Sequence, residues 1–209
     1  MTARLRALCA LIEPSASFID VGCDHGYAVE YVVKHKLADR ITACDISMPS
    51  LEKAKKRLGE NAGVTFVCAD GATAAAGYAT VLIAGMGGHE MLSVTEGCAP
   101  DTFVLSPQSH VELVRERLLQ RDYSITHDCV VEDGGKFYDI LQAKRGGGKE
   151  QLARAIPLQL NWGMFLQEKN EALLKKLRAK EAALASYPLT RQNESRSRQV
   201  KEAILWQLR

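Results

Sequence analysis

Over roughly the first 145 residues, short apolar and β-branched runs alternate with stretches whose apolar positions recur every three to four residues. The runs predict strands at Phe18 to Val21, Ile41 to Cys44, Val64 to Val67, Val81 to Ala84 and Phe103 to Leu105. The helical spacings predict helices at about 2 to 12, 27 to 36, 49 to 59, 89 to 94 and 110 to 121. Such alternation predicts an α/β fold, a doubly wound parallel sheet with helices on both faces. Two further runs, Tyr123 to Val131 and Phe137 to Ala143, break the rhythm, because only Glu132-Asp133-Gly134-Gly135-Lys136 separates them. That gap admits a hairpin but no crossover helix, so the sheet should finish antiparallel.

Gly146-Gly147-Gly148 then predicts a flexible boundary between a first domain, 1–148, and a second, 149–209. Beyond it, Leu166, Leu173, Leu177 and Leu184 recur at spacings of seven and four with Asn170 and Lys180 in the same seam, the pattern of a long helix with a coiled-coil-like stripe. Pro188 ends it. A second helix over about 191 to 208 carries Val200, Ile204 and Leu208 on one side, so the pair is expected to fold as an antiparallel helical hairpin.

Charge sharpens this division. Residues 1–148 hold 15 Lys or Arg against 19 Asp or Glu, a net of −4, while 149–209 hold 12 against 6, a net of +6. A basic tail on an acidic body suits contact with a polyanion, although a solvated lysine-rich helical surface has the same composition. No stretch approaches the length of apolar chain that a membrane span requires, and the N-terminus lacks a secretory pattern. A cytoplasmic protein without membrane contact is expected, with a monomer favoured. Six cysteines, no two closer than fourteen residues, offer no local zinc or redox motif, and no metal site is expected.

Candidate chemistry gathers where strands end, since a parallel sheet binds its ligand at the carboxyl ends. Phe18-Ile-Asp-Val-Gly-Cys-Asp-His-Gly26 runs from a strand into a helix with Asp20, Gly22 and Gly26 at the turn. A dinucleotide site places a glycine where this chain has Cys23 or Asp24, and a carboxylate there repels a diphosphate. Asp20, Asp24 and Asp45 suit a cationic ligand instead, as S-adenosylmethionine is at its ammonium and sulfonium. Asp45, followed by Ile46, lies 23 residues beyond Gly22, where an acid accepts from both ribose hydroxyls or, alternatively, caps the next helix. Asp70-Gly71 after strand three suits an adenine amino group or a plain surface turn. After strand four, Gly85-Met86-Gly87-Gly88-His89 lets backbone approach a ligand closely.

These residues resemble the bacterial tRNA adenine-N1 methyltransferases of the TrmK type, which modify adenine 22 in the D-arm. The resemblance rests on Arg4-Leu5, on Asp20 to Tyr27, on Ile83-Ala84-Gly85-Met86-Gly87-Gly88, on Arg115 to Tyr123 and on Glu132 to Tyr138. It covers essentially the whole body, and the helical tail looks like that family's coiled-coil appendage. The chain departs from the family pattern at Cys23 and Gly26, and at Ser106-Pro107-Gln108, where the family often shows Gln-Pro-Asn. The resemblance implies a Rossmann-like class I methyltransferase sheet ending in an antiparallel hairpin, S-adenosylmethionine as cofactor and tRNA as partner. It further implies catalytic roles for Asp24 and His25, and a cofactor site of Asp20, Gly22, Asp24, Gly26, Asp45, Ile46, Asp70, Gly71, Gly85, Met86 and Gly87. Substrate contacts are expected from Tyr27, Gly88, His89 and Gln108 in the cleft, and from Arg191, Arg196, Arg198 and Lys201 on the last helix, with Lys175, Lys176, Arg178 and Lys180 on the helix before it. Methylation of a small metabolite or a protein, or a catalytically silent S-adenosylmethionine- or RNA-binding module, remain open alternatives.

Overall fold

The computed structural model describes residues 1–59, 63–188 and 190–209. Seven strands form one sheet: β1 Ser15–Val21, β2 Ala38–Asp45, β3 Val64–Cys68, β4 Thr80–Ala84, β5 Thr102–Ser106, β6 Tyr123–Asp133 and β7 Lys136–Arg145. Their order is β3-β2-β1-β4-β5-β7-β6, with β1 to β5 parallel and β7 antiparallel to both of its neighbours. Each predicted strand is present and each is longer than its apolar core, because ladder pairing takes in flanking polar residues, buried ones such as Thr80, Thr102 and Ser106 included. Within the hairpin this shrinks the predicted five-residue gap to Gly134-Gly135, both at positive φ, as a two-residue turn matching strand twist demands.

Helices α1 Ala3–Ala10, α2 Tyr27–His35 and α3 Met48–Leu58 cover one face of the sheet. The other face is covered by α4 Gly71–Ala74, α5 Gly88–Glu96 and α6 Val111–Gln120. Central strands are therefore apolar on both sides, and β1 from Ser17 onward is buried without alternation. The chain winds in opposite directions from β1 and β4, so a crevice opens between their carboxyl ends.

The tail departs from expectation at its start. Gly148 opens helix α7 Gly148–Arg154, and a Cβ at Gly148 would stand 2.6 Å from backbone atoms of Tyr123, so this glycine serves close packing against β6 rather than flexibility. Helix α8 Pro157–Trp162 follows and packs on α6, and neither short helix has a periodic signal strong enough to read. The long helix, α9 Glu171–Ala185, begins later than the leucine seam suggested: Leu166 lies in the preceding turn, and Asn170 is the N-cap, its Oδ1 accepting from the Leu173 amide at 2.8 Å. Helix α10 Arg191–Leu208 packs back on α9, burying Leu173, Leu177, Leu184, Val200 and Ala203 together with Val130 of β6. Buried Gln207 staples the turn before α9, accepting from the Asn170 amide and donating to the Leu166 and Glu168 carbonyls.

Candidate active site

The first turn spends its amides internally. The Gly22 and Cys23 amides donate to the Cys44 carbonyl at 2.8 and 3.0 Å, the Asp24 amide donates to Asp45 Oδ2 at 3.1 Å, and Gly26 donates to the Cys23 carbonyl at 2.7 Å. These four leave no cradle of N–H groups for a diphosphate. Asp24 takes a φ of 41°, which costs a non-glycine residue about 1 kcal/mol. Its amide bond to Asp45 holds it there. Asp45 also accepts from the Ser47 amide at 2.8 Å, while Ser47 Oγ, not Asp45, caps α3. Two backbone donors thus fix the Asp45 carboxylate at the end of β2, with further lone pairs unspent.

Two hollows flank this turn and share Gly22. One, of about 390 Å³, is lined by Arg4, Asp20, Cys23, Asp24, Tyr27 and Gly85, among others. The second, of about 270 Å³, is lined by Asp45, Ile46, Ala69, Asp70, Gly71 and Met86 and other residues of β1, β2 and α5. A Cβ on Gly22 would meet the Met86 terminal methyl at 2.9 Å, a flexible tip that can move aside, so it is the φ of +77° that calls for glycine at this turn. Ile46 is 78% exposed beside Asp45, an apolar surface left open among the described residues.

Asp20 lies deepest. It is 4% exposed, and burial, with the charge of Asp45 adding to it, pushes its carboxyl up to about 7. A buried acid facing a hollow in this condition awaits a cation. Asp24 differs: its side chain is 58% exposed, with Lys53 at 3.5 Å and His25 at 3.6 Å, so it stands at the rim. Tyr27 has the Arg57 guanidinium 3.8 Å over its ring, and His25 is 6.0 Å from it.

The glycines of the fourth turn divide by task. Gly85, at φ +89°, faces Arg4 and Gln108, whose nearest nitrogens lie 3.8 and 3.7 Å from where its Cβ would be. Gly88 instead packs on the Ser109 and His110 carbonyls, and Gly71 packs on Val21 while lining the second hollow, each with no space for a Cβ. Asp70 caps α4 through the Ala72 amide at 2.9 Å while still lining the second hollow. The exposed His89 and His110 rings meet at a tilt of 47° with 4.6 Å between centres.

Arg191, Arg196 and Arg198 are exposed on α10, which packs on α8 and α9. Of the lysines expected to face a polyanion, Lys175 pairs with Glu132 at 3.1 Å and Lys176 with Asp139 at 2.5 Å, so both tie the tail to the hairpin. A larger open groove of about 970 Å³ lies between α9 and α10, lined by Arg178, Arg198 and Lys201 but also by Glu181 and Glu194. Its mixed charge, with no buried polar side chain among its described lining residues, makes it the weaker site, and the chemistry points to the sheet end.

Sequence reasoning did not place Arg4 in the cleft. Its guanidinium crosses from α1 to Ser106 at the end of β5, 102 residues away. Nor did it foresee the cluster around Arg115, which is wholly buried. Arg115 donates to both Asp128 oxygens at 2.8 and 2.9 Å, to Asp139 at 3.1 Å and to the Leu160 carbonyl at 3.1 Å. Asp128 accepts from the Met164 amide and Asp139 from Lys176, so α6, the hairpin and the tail meet there.

A doubly wound sheet closed by an antiparallel hairpin, with an acid-lined crevice at its switch point, defines a methyltransferase domain. The family model described as "Methyltransferase domain" matches residues 1–141, and the chain belongs to that family. It is 28% identical over 191 residues to the tRNA (adenine(22)-N(1))-methyltransferase of Bacillus subtilis, spanning 84% of this chain and 79% of that protein. The crystal structure of the B. subtilis m1A22 tRNA methyltransferase TrmK superposes with a TM-score of 0.80 at 25% identity over 98% of each chain. Mycoplasma capricolum TrmK, solved with S-adenosylhomocysteine, superposes with a TM-score of 0.85 at 18% identity over 99% of this chain and 98% of that one.

Proposed function

We propose that the chain is a tRNA methyltransferase that transfers a methyl group from S-adenosylmethionine to N1 of adenine 22. The observation that carries the cofactor is buried Asp20 facing a hollow beside a turn whose amides are already spent. The similarity to the B. subtilis enzyme along 84% of the chain supports the substrate. When bound, S-adenosylmethionine supplies an electrophilic methyl on a cationic sulfonium.

The chain's own residues bind and orient. Asp20 offers charge to the ammonium, the fixed Asp45 carboxylate takes the ribose hydroxyls, and Ile46 and Asp70 meet the adenine face and edge. The turn from Gly85 to Gly88 borders the space for a target base taken out of its stack, with Tyr27, His89 and Gln108 around it. Adenine N1 already owns an in-plane lone pair, so no group need remove a proton before attack. What the site supplies is position and compensation for the charge the base gains, and rim acid Asp24, beside His25, is placed for that. The paired helices α9 and α10 act as the family's coiled-coil-like appendage, with Arg191, Arg196 and Arg198 on tRNA phosphates. Cutting the chain at 149 would not isolate that role, because it strips Arg115, Asp128 and Asp139 of their tail partners.

Tritiated-methyl transfer to an unmodified tRNA transcript, followed by nucleoside analysis, tests this reading. N1-methyladenosine should form, disappear when position 22 is guanine, and fall at least about a hundredfold with Asp24→Ala. A different methylated nucleoside would move the target atom, and labelled protein or small molecules in place of RNA would overturn the substrate.

A further inference from the structure

The first hollow holds one charged group to which the proposed reaction has given no task. Arg4 is half buried, and its guanidinium is fixed from two sides: Nε donates to Ser106 Oγ at 3.1 Å, Nη2 to the Ser106 carbonyl at 3.4 Å, and the Tyr138 ring lies 4.6 Å from its central carbon. Among the described residues no carboxylate lies within 4.0 Å of it. Asp133, its acidic neighbour, accepts from the Arg4 backbone amide instead. Of five guanidinium N–H groups, Ser106 takes two along the Nε–Nη2 edge, which leaves three, including the end-on pair that fits a carboxylate bidentately. An ordered, partly desolvated arginine without a counter-ion, lining a ligand cavity, is built for an anion the ligand brings.

The same hollow is lined by Asp20 and Asp24. A cation and acids around one cavity of about 390 Å³ complement an α-amino acid, whose ammonium and carboxylate leave a single carbon. We infer that Arg4 anchors the carboxylate of the cofactor's methionine end, so that Arg4 and Asp20 grip its two charges from opposite sides. This rests on the S-adenosylmethionine reading above. It also places a guanidinium near a sulfonium without net repulsion, since the carboxylate lies between them in charge.

Calorimetry on the full-length chain, with two ligands that differ in this end alone, tests the inference. S-adenosylhomocysteine carries the amino-acid group and 5′-methylthioadenosine lacks it. Arg4→Gln should weaken S-adenosylhomocysteine at least about tenfold, the effect of losing a charged hydrogen-bond pair, and leave 5′-methylthioadenosine within about twofold. Arg4→Lys should recover part of the loss. Unchanged S-adenosylhomocysteine affinity in Arg4→Gln, with or without a raised KM for tRNA, overturns the assignment, and so does equal weakening of both ligands. If the unaltered chain binds neither ligand, the cofactor reading itself fails, which is a separate result.

Discussion

Two buried charge clusters in this molecule have opposite characters. Around Arg115, the guanidinium has partners on Asp128, Asp139 and the α8 carbonyls, and each carboxylate accepts from a further donor. Burial alone lowers the Arg115 pKa and raises that of Asp139, yet opposite charges win: Asp128 and then Asp139 hold Arg115 above its usual value, and Lys176 and then Arg115 hold Asp139 below its own. At the sheet end the balance reverses: Asp20 has burial and the like charge of Asp45 against it and, among the described residues, no side-chain partner that compensates, so its carboxyl rises. Arg4 likewise falls below its ordinary value through burial. A closed cluster is part of the frame, and an open one marks where something else must enter.

Breaking the closed cluster should have the largest effect. Arg115→Met strands two buried carboxylates and should cost about 3–5 kcal/mol of stability, read from denaturant midpoints. A loss below about 1 kcal/mol would mean that water or Lys176 alone satisfies them.

Asp20→Asn should do the reverse. Cofactor-product affinity should fall at least about tenfold while stability at pH 8 stays at or above that of the unaltered chain, since an uncompensated charge has been removed. The pH dependence sharpens the point. With a folded value of about 7 against a usual carboxylate value near 3.8, Asp20 favours folding most below pH 4, and that contribution is lost as pH rises through 7. Binding a cation runs the other way, because the proton must leave. S-adenosylhomocysteine affinity should therefore rise with pH up to about 7, level off above it, and release protons measurable as a buffer-dependent heat; the slope should vanish in Asp20→Asn.

The smallest effect belongs to an exposed pair. Lys53→Met removes the partner of Asp24 at the rim, where both side chains are about half exposed, and should shift stability by less than about 1 kcal/mol. A larger shift would put Asp24 in the frame rather than at the reaction centre.

Much of the candidate site's placement was legible before any fold was drawn. Asp20, Gly22, Asp45, Asp70 and the glycines at 85 to 88 stand at strand ends, and strand ends follow from apolar runs a few residues long. Which glycine does what was not legible: Gly85 borders the first hollow, Gly71 borders the second while packing against Val21, and Gly88 serves packing alone, a distinction that depends on the neighbour across space. The leucine seam of the tail signalled a helix but overran its start, because Asn170 caps it and Gln207, 37 residues on, holds the turn before it.

Local pattern determined the alternating elements, the terminal hairpin and the acid-rich turn, since burial period and turn chemistry act over a few residues. Tertiary structure alone decided the pairing of charges. Arg4 meets Ser106 across 102 residues, and Arg115 meets the α8 carbonyls across 45. An isolated arginine codon position carries no sign of whether its side chain will find a carboxylate, a carbonyl or an open cavity. That outcome is set by which chain segments the packed sheet brings within hydrogen-bond reach, and here it separates charges closed in partnerships, as around Arg115, from charges that line a hollow, as Arg4 and Asp20 do.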